Sequence, residues 1–282
     1  MALPGRRNSS KPGKGKPEKN LRAPAVAGFF YPDRKETLVD LLGRLAAPGR
    51  EKQRALAAVV PHGSLFSCGS VAAAVYGRLS GFSAAVIVGP NHSRAGEPVS
   101  VAADGEWVTP LGRLPVDKAL ARALIKAVPG LKKDSKAHAQ EHSAEVQLPF
   151  LQKWLGLRGF VPVALAGTDL ETARQIGKGL AAALERAGRE TLLIAYANLS
   201  RYEPREKVER QDQLLIDRIT ALDERGLMEE EGSWCGAPAV AAVLAAAKEL
   251  GASGARLVKY EINGAIEEPG AAVSGYAGIL VQ

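Results

Sequence analysis

Short aliphatic runs without polar alternation recur along the chain, each set apart from the next by a longer stretch with helical periodicity. The runs at 54–60, 83–88, 159–164, 191–197, 257–262 and 275–281 predict strands. Runs of this kind suit strands covered on both faces, because a half-exposed strand would alternate apolar and polar residues. Stretches at 37–45, 70–79, 117–128, 141–155, 170–187, 205–222 and 237–250 predict helices. The alternation predicts an α/β fold, a single domain with a largely parallel central sheet and helices on both faces. A second strand pair around 99–107, with a turn at 109–114, predicts a hairpin insertion. No second Pro/Gly/Ser-rich linker and no solenoid repeat interrupts the pattern from residue 21 to 282. Residues 1–20, rich in Pro, Gly and Lys and without hydrophobic periodicity, are expected to be a disordered basic tail.

The predicted strands deliver chemistry at one end. The strand ending at Val60 runs into Pro61-His62-Gly63, the one ending at Val88 into Gly89-Pro90-Asn91-His92, and the one ending at Ala197 into Asn198-Leu199-Ser200-Arg201. In open α/β sheets the carboxyl ends of the strands border the crevice where ligands bind. One strand–helix–strand unit separates His62 from His92, so neighbouring parallel strands, roughly 4.8 Å apart, are expected to carry them to one metal.

Composition changes this picture little. The chain has 282 residues, 46% apolar and 24% charged, and a formal net charge of +7. Residues 1–22 hold seven basic groups against one acid, Glu18, so nearly all of that charge sits in the tail and the folded part is close to neutral. A specific nucleic-acid partner is therefore not expected. No apolar run reaches the roughly 20 residues of a membrane span. With only Cys68 and Cys235 and no signal-peptide pattern, a reducing cytoplasm is the expected location.

Four histidines are present: His62, His92, His138 and His142. A neutral imidazole binds metal or carries protons near neutral pH, and a pair in equivalent positions after strands points to a shared site. Cys235, in Trp234-Cys235-Gly236-Ala237-Pro238, precedes a helix whose free N–H groups favour a thiolate. Cys68 is expected to pack in the core. The segment from His138 to His142 fits H-x-x-E-H, in which two histidines one helical turn apart share a zinc and Glu141 acts as base. Glu141 and Glu145 have the same spacing, which suits a paired-carboxylate site or one helix face. Neither G-x-S-x-G nor Walker A nor G-x-G-x-x-G occurs, so no nucleotide cofactor is expected.

Taken together, these segments resemble the Memo family, which includes the AmmeMemoRadiSam system protein B. The resemblance is carried by Arg22-Ala-Pro-Ala-Val-Ala-Gly-Phe-Phe-Tyr31-Pro32, by Pro61-His62 through Gly69, by Gly89-Pro90-Asn91-His92 and by Thr109-Pro-Leu-Gly112. It continues in Glu141-His142-Ser143-Ala-Glu145-Val-Gln-Leu-Pro149-Phe150-Leu151, Asn198-Leu-Ser-Arg-Tyr202, Cys235-Gly236 and Gly275-Tyr276-Ala277. It implies a fold like that of class III extradiol dioxygenases, which hold non-haem Fe(II). It also implies a metal site at His62, His92 and Cys235 that takes iron or copper, with zinc as a further candidate. Asn198 and Arg201 match an Asp and a His of the family and are expected to bind substrate. By association the family implies a radical-SAM protein and an AMMECR1-like protein as partners.

The sequence departs from the family at two of these positions. An amide at Asn198 contributes no negative charge to a divalent cation, and the Arg201 guanidinium cannot serve as a base. That argues against dioxygenase chemistry. Glu141, His142 and Arg201 are the candidates for catalytic roles, with Glu141 and His142 expected to orient ligands or substrate. Two readings stay open. One is a metal-dependent oxidoreductase of unassigned substrate. The other is a non-catalytic partner protein whose altered crevice holds an anionic ligand or peptide.

Overall fold

Continuous apolar burial puts the predicted strands at 54–60, 83–88, 159–164 and 191–197 at the centre of one sheet, whereas the predicted strand at 257–262 is partly exposed and lies outside that centre. The computed structural model describes residues 20–46, 51–187, 190–264 and 272–282, so the proposed tail lies, apart from Asn20, outside the described residues. In chain order the elements are β1 (Leu21–Arg22), α1 (Lys35–Leu45), β2 (Ala57–Val60), α2 (Leu65–Tyr76), β3 (Ala84–Pro90), β4 (Val99–Val101), β5 (Glu106–Thr109) and β6 (Gly112–Pro115). Then come α3 (Lys118–Ala127), β7 (Lys132–Lys133), α4 (Lys136–Ala139), α5 (His142–Glu145), α6 (Leu148–Phe150), a π-helical turn (Leu151–Leu155) and β8 (Gly159–Leu165). The chain closes with α7 (Leu170–Ala187), β9 (Thr191–Tyr196), β10 (Glu203–Pro204), α8 (Arg205–Thr220), α9 (Glu224–Glu229), α10 (Ala237–Glu249), β11 (Ala255–Gly264) and β12 (Ala272–Val281).

The main sheet has the order β10-β12-β2-β9-β3-β8-β4-β7, with β11 on β12. Its centre, β2-β9-β3-β8, is parallel, and β12 and β4 join it antiparallel on either side. Successive residues of β3 feed opposite cores. Val86 and Val88 pack with α3, α7 and α10, whereas Ala85 and Ile87 pack with α1, α2 and the 144–160 segment. Each buried aliphatic side chain of this kind contributes ~1.5–3 kcal/mol. No described helix is long and apolar enough to cross a membrane.

Four expectations need correction. First, β9 lies between β2 and β3, so His62 and His92 do not follow neighbouring strands. Second, 141–155 is not one helix. Glu141 has an extended ψ of 115° and its carboxylate caps Ser143 N–H, while Pro149, lacking an N–H, starts a new turn. Third, Val99–Val101 joins the main sheet against β8, and the hairpin is β5-β6, extended by β1 into a separate three-stranded sheet. Fourth, α2 starts five residues earlier than its pattern suggested, because the Ser64 hydroxyl accepts from Phe66 N–H as an N-cap.

Candidate metal centre

The turn after β2 is clamped from two sides. The Asn198 side-chain oxygen accepts the His62 backbone N–H at 2.9 Å, and the Pro61 carbonyl accepts from Gln147 Nε2 at 2.9 Å. Gln147 in turn accepts from the Tyr76 hydroxyl at 3.0 Å. Near the end of β3, glycine is the only residue type that fits at Gly89, since a Cβ there would fall inside the ring of Tyr196. Tyr196 is fully buried and its ring stands edge-on to His62, with centroids 5.9 Å apart.

Glu141 places the next two histidines. Its buried carboxylate accepts from His92 N–H at 2.7 Å and lies 2.9 Å from His92 Nδ1. It also accepts from the Ser143 N–H and hydroxyl, at 3.1 and 2.6 Å. The chain then turns into α5, whose first residue is His142. With Nδ1 tied to Glu141, His92 presents Nε2 outward, the arrangement by which a carboxylate orients an imidazole ligand.

Cys235 arrives from the far side. Its N–H donates to the Asn198 carbonyl at 3.0 Å, closing an antiparallel bridge between the loop after β9 and the approach to α10. Gly236 follows at φ +97°, where an added Cβ would meet Ala197 at 2.8 Å, so this turn requires glycine. The Cys235 sulfur lies 3.3 Å from His62 Nε2.

These local arrangements bring three rings and one thiol together. Ring centroids are 5.1 Å apart for His62 and His92, 4.7 Å for His92 and His142, and 5.9 Å for His62 and His142. One ring nitrogen from each lies within 4.8 Å of the others, a group that can hold a metal ion. His62 is fully buried, and its Nδ1 has no hydrogen-bond partner. His92 is the solvent-facing edge of the group.

Electrostatics favour the ligand form at Cys235 and His142, whereas His92 has to release a proton to bind a metal. Burial pushes the Cys235 thiol up, but hydrogen bonds from His62 and His92 outweigh it and hold the group at about 5, a thiolate at neutral pH. Burial presses His92 down, yet its hydrogen bonds with Cys235 and Glu141 raise it to about 9. For Glu141, burial is again overcome, here by hydrogen bonds from His92 and Ser143, leaving it at about 2. His142 is lowered to about 4, first by burial and then by the charges of His62 and His92 against the opposing pull of Glu141.

His62, His92 and Cys235 come together in the structure, although not from neighbouring strands, and His142, read from sequence as a supporting group, stands among them. Asn198 and Arg201 have different surroundings from each other. Asn198 is buried, with its oxygen committed to the His62 backbone. Arg201 is half-buried in the same loop, and its Nε donates to the Ser233 carbonyl at 3.3 Å. The H-x-x-E-H arrangement is not formed. The chain breaks between α4 and α5, and His138 turns away to Ser100 and Trp107, buried apart from the cluster. Glu145 likewise leaves Glu141 and binds Arg22 and Tyr31. Cys68 is buried beside Val71 and Tyr276, its thiol pushed by burial to about 12.

Comparison with known proteins gives the family of the chain. The family model described as "Memo-like protein" matches residues 22–280. A MEMO1 family protein of Pyrobaculum arsenaticum is 36% identical over 276 residues, covering 92% of this chain and 98% of the relative. One from Methanopyrus kandleri is 38% identical over 279 residues, covering 93% and 99%. Among solved structures, an uncharacterized protein from Escherichia coli K12 aligns with a TM-score of 0.58 and 16% identity, over 80% of this chain and 99% of that one. At that identity the likeness concerns the fold alone.

Proposed function

The chain belongs to the Memo family, and from that premise and the convergence of His62, His92, His142 and Cys235 we infer that it holds a transition-metal ion in the crevice. The single observation that carries this reading is the buried His62 ring with its Nε2 3.3 Å from the Cys235 sulfur, and two further imidazoles around it. Thiolate plus imidazole suits iron, copper or zinc and disfavours the hard cations Mg²⁺ and Ca²⁺. The orphaned Nδ1 of His62 also fits a group that expects a further partner. A bound iron or copper ion supplies one-electron redox chemistry and Lewis acidity, and zinc supplies only the second.

The chain's own residues prepare the site. Glu141 fixes the ring of His92, Asn198 fixes the turn that carries His62, and Phe30 leans edge-on against His142 at 5.0 Å. Both cysteines are free thiols, which suits a reducing compartment. The reading is tested by titrating purified protein with cobalt(II) and recording its absorption. Wild-type protein should develop a thiolate-to-metal charge-transfer band that Cys235→Ser lacks, while both keep the imidazole-ligated visible bands. No saturable spectrum in the wild type would remove the metal reading.

A further inference from the structure

Arg201 is half-buried in the loop after β9, three residues past Asn198, without a carboxylate partner among the described residues. Its position is built rather than incidental. The Arg201 N–H donates to the Ser233 hydroxyl at 2.9 Å and its Nε to the Ser233 carbonyl at 3.3 Å. Ser233 is two residues before Cys235, and Asn198, three residues before Arg201, is bridged to Cys235. Three residues of extended chain span at most roughly 10 Å, which bounds the backbone separation of Arg201 from Asn198. The Arg201 charge is felt at Tyr276, whose ring lies beside Gly63, the residue after His62.

Three further features suit an anion there. With Nε used, the two terminal nitrogens of the guanidinium keep the planar fork that pairs with a carboxylate. The N-terminus of α10, which follows Cys235, has Gly236 as its N-cap and therefore no side-chain acceptor for its first-turn N–H groups. Tyr202, next to Arg201, is held at φ +57° with its N–H on Ser274, and its ring is 80% exposed. A non-glycine residue held in that region is a local cost that clusters at ligand sites.

We propose that Arg201 anchors a small organic carboxylate, whose acid group pairs with the guanidinium while its body faces His62, His92 and Cys235. This names the ligand class of the metal crevice and rests on that reading for the inner end only, because the anchor exists without the ion. Benzoate is the probe, since its ring suits the aromatic wall formed by Phe30 against His142.

The test is calorimetric titration of benzoate into wild type, Arg201→Gln and Arg201→Lys, each as metal-free and zinc-loaded protein, with zinc content measured on the same samples. Saturable one-to-one binding is expected in the wild type, at least tenfold weaker in Arg201→Gln, with partial recovery in Arg201→Lys. Inorganic phosphate should bind more weakly than benzoate. Equal benzoate affinity in wild type and Arg201→Gln, no saturable binding to folded wild type, or tighter binding of phosphate would each overturn the proposal. Benzoate binding that depends on Arg201 in protein unable to retain zinc would uphold the anchor and overturn the metal reading. Amide shifts at Ser233 and Tyr202 during the wild-type titration decide the matter should Arg201→Gln fail to fold.

Discussion

Replacing Glu145 by Gln tests how the N-terminal segment is held over the cluster. Glu145 is fully buried and accepts four hydrogen bonds, from Arg22 Nη1 at 2.6 Å, Ala25 N–H at 2.8 Å, Val26 N–H at 3.0 Å and the Tyr31 hydroxyl at 2.6 Å. Arg22 is itself 10% exposed, lies 3.9 Å over the Trp107 ring and donates to the His138 and Glu141 carbonyls. A glutamine keeps the shape but turns one acceptor into a donor. Placed toward Tyr31, the NH₂ group strands the Val26 N–H; placed toward Arg22, it meets two donors. Either way Arg22 loses its buried counter-charge. Breaking a buried pair from one side costs about 3–5 kcal/mol, most of it the uncompensated charge.

The assay is urea unfolding of wild type, Arg22→Met, Glu145→Gln and the double variant. Because the double variant leaves no orphaned charge, it should be more stable than the two single losses summed, by about 2 kcal/mol or more. Zinc retention should fall in Glu145→Gln as well, since the same segment carries Phe30 onto His142 and gives its carbonyl to Leu65 N–H at 2.8 Å. A Glu145→Gln protein within about 1 kcal/mol of wild type, or an additive cycle, would refute this reasoning.

Three more outcomes follow from named contacts. His138 is lowered to about 4, chiefly by burial and then by Arg22, against the opposing pull of Asp134 and Glu141. Its unfolded form takes up a proton near pH 6.5 that the folded form resists, so this stability is full above about pH 6.5 and lost as the pH falls toward 4. That amounts to about 3 kcal/mol, and His138→Phe should flatten the acid limb of stability against pH by that much, whereas parallel limbs would refute the assignment. Gly89→Ala forces Tyr196 off its seat and should cost ~1–3 kcal/mol in thermal or urea unfolding, with the loss largely recovered in Gly89→Ala/Tyr196→Leu. Glu141→Gln should weaken zinc affinity roughly 10- to 100-fold in a competition titration while leaving the fold intact by circular dichroism.

The parallel centre of the sheet was legible because fully buried strands must be apolar throughout, and helix α7 matches its predicted bounds because its periodicity is uninterrupted. The stretch at 141–155 was misread for a physical reason. Its apolar spacing is helical, but Glu141 spends its carboxylate on Ser143 and His92, and Pro149 cannot continue a hydrogen-bonded ladder. That break is what swings His142 into the cluster and His138 out of it, so the literal H-x-x-E-H spacing misled. The strand order was not legible either, because nothing local says that β9 inserts between β2 and β3. Cys235 was readable from its place before a helix. The role of Asn198 as a backbone clamp was not, since the motif match points to substrate binding and says nothing of its hydrogen bond to His62.

The central claim, that His62 and Cys235 belong to one metal-holding cluster, is tested most directly by elemental analysis of protein purified without a metal-affinity tag. Wild type and His62→Ala/Cys235→Ala would be incubated with Fe(II), Cu(I) and Zn(II), desalted and measured side by side. Close to one ion per wild-type chain is expected for at least one of these metals, and little or none in the double variant. Absence of metal from the wild type, or equal metal in both proteins, would contradict the claim.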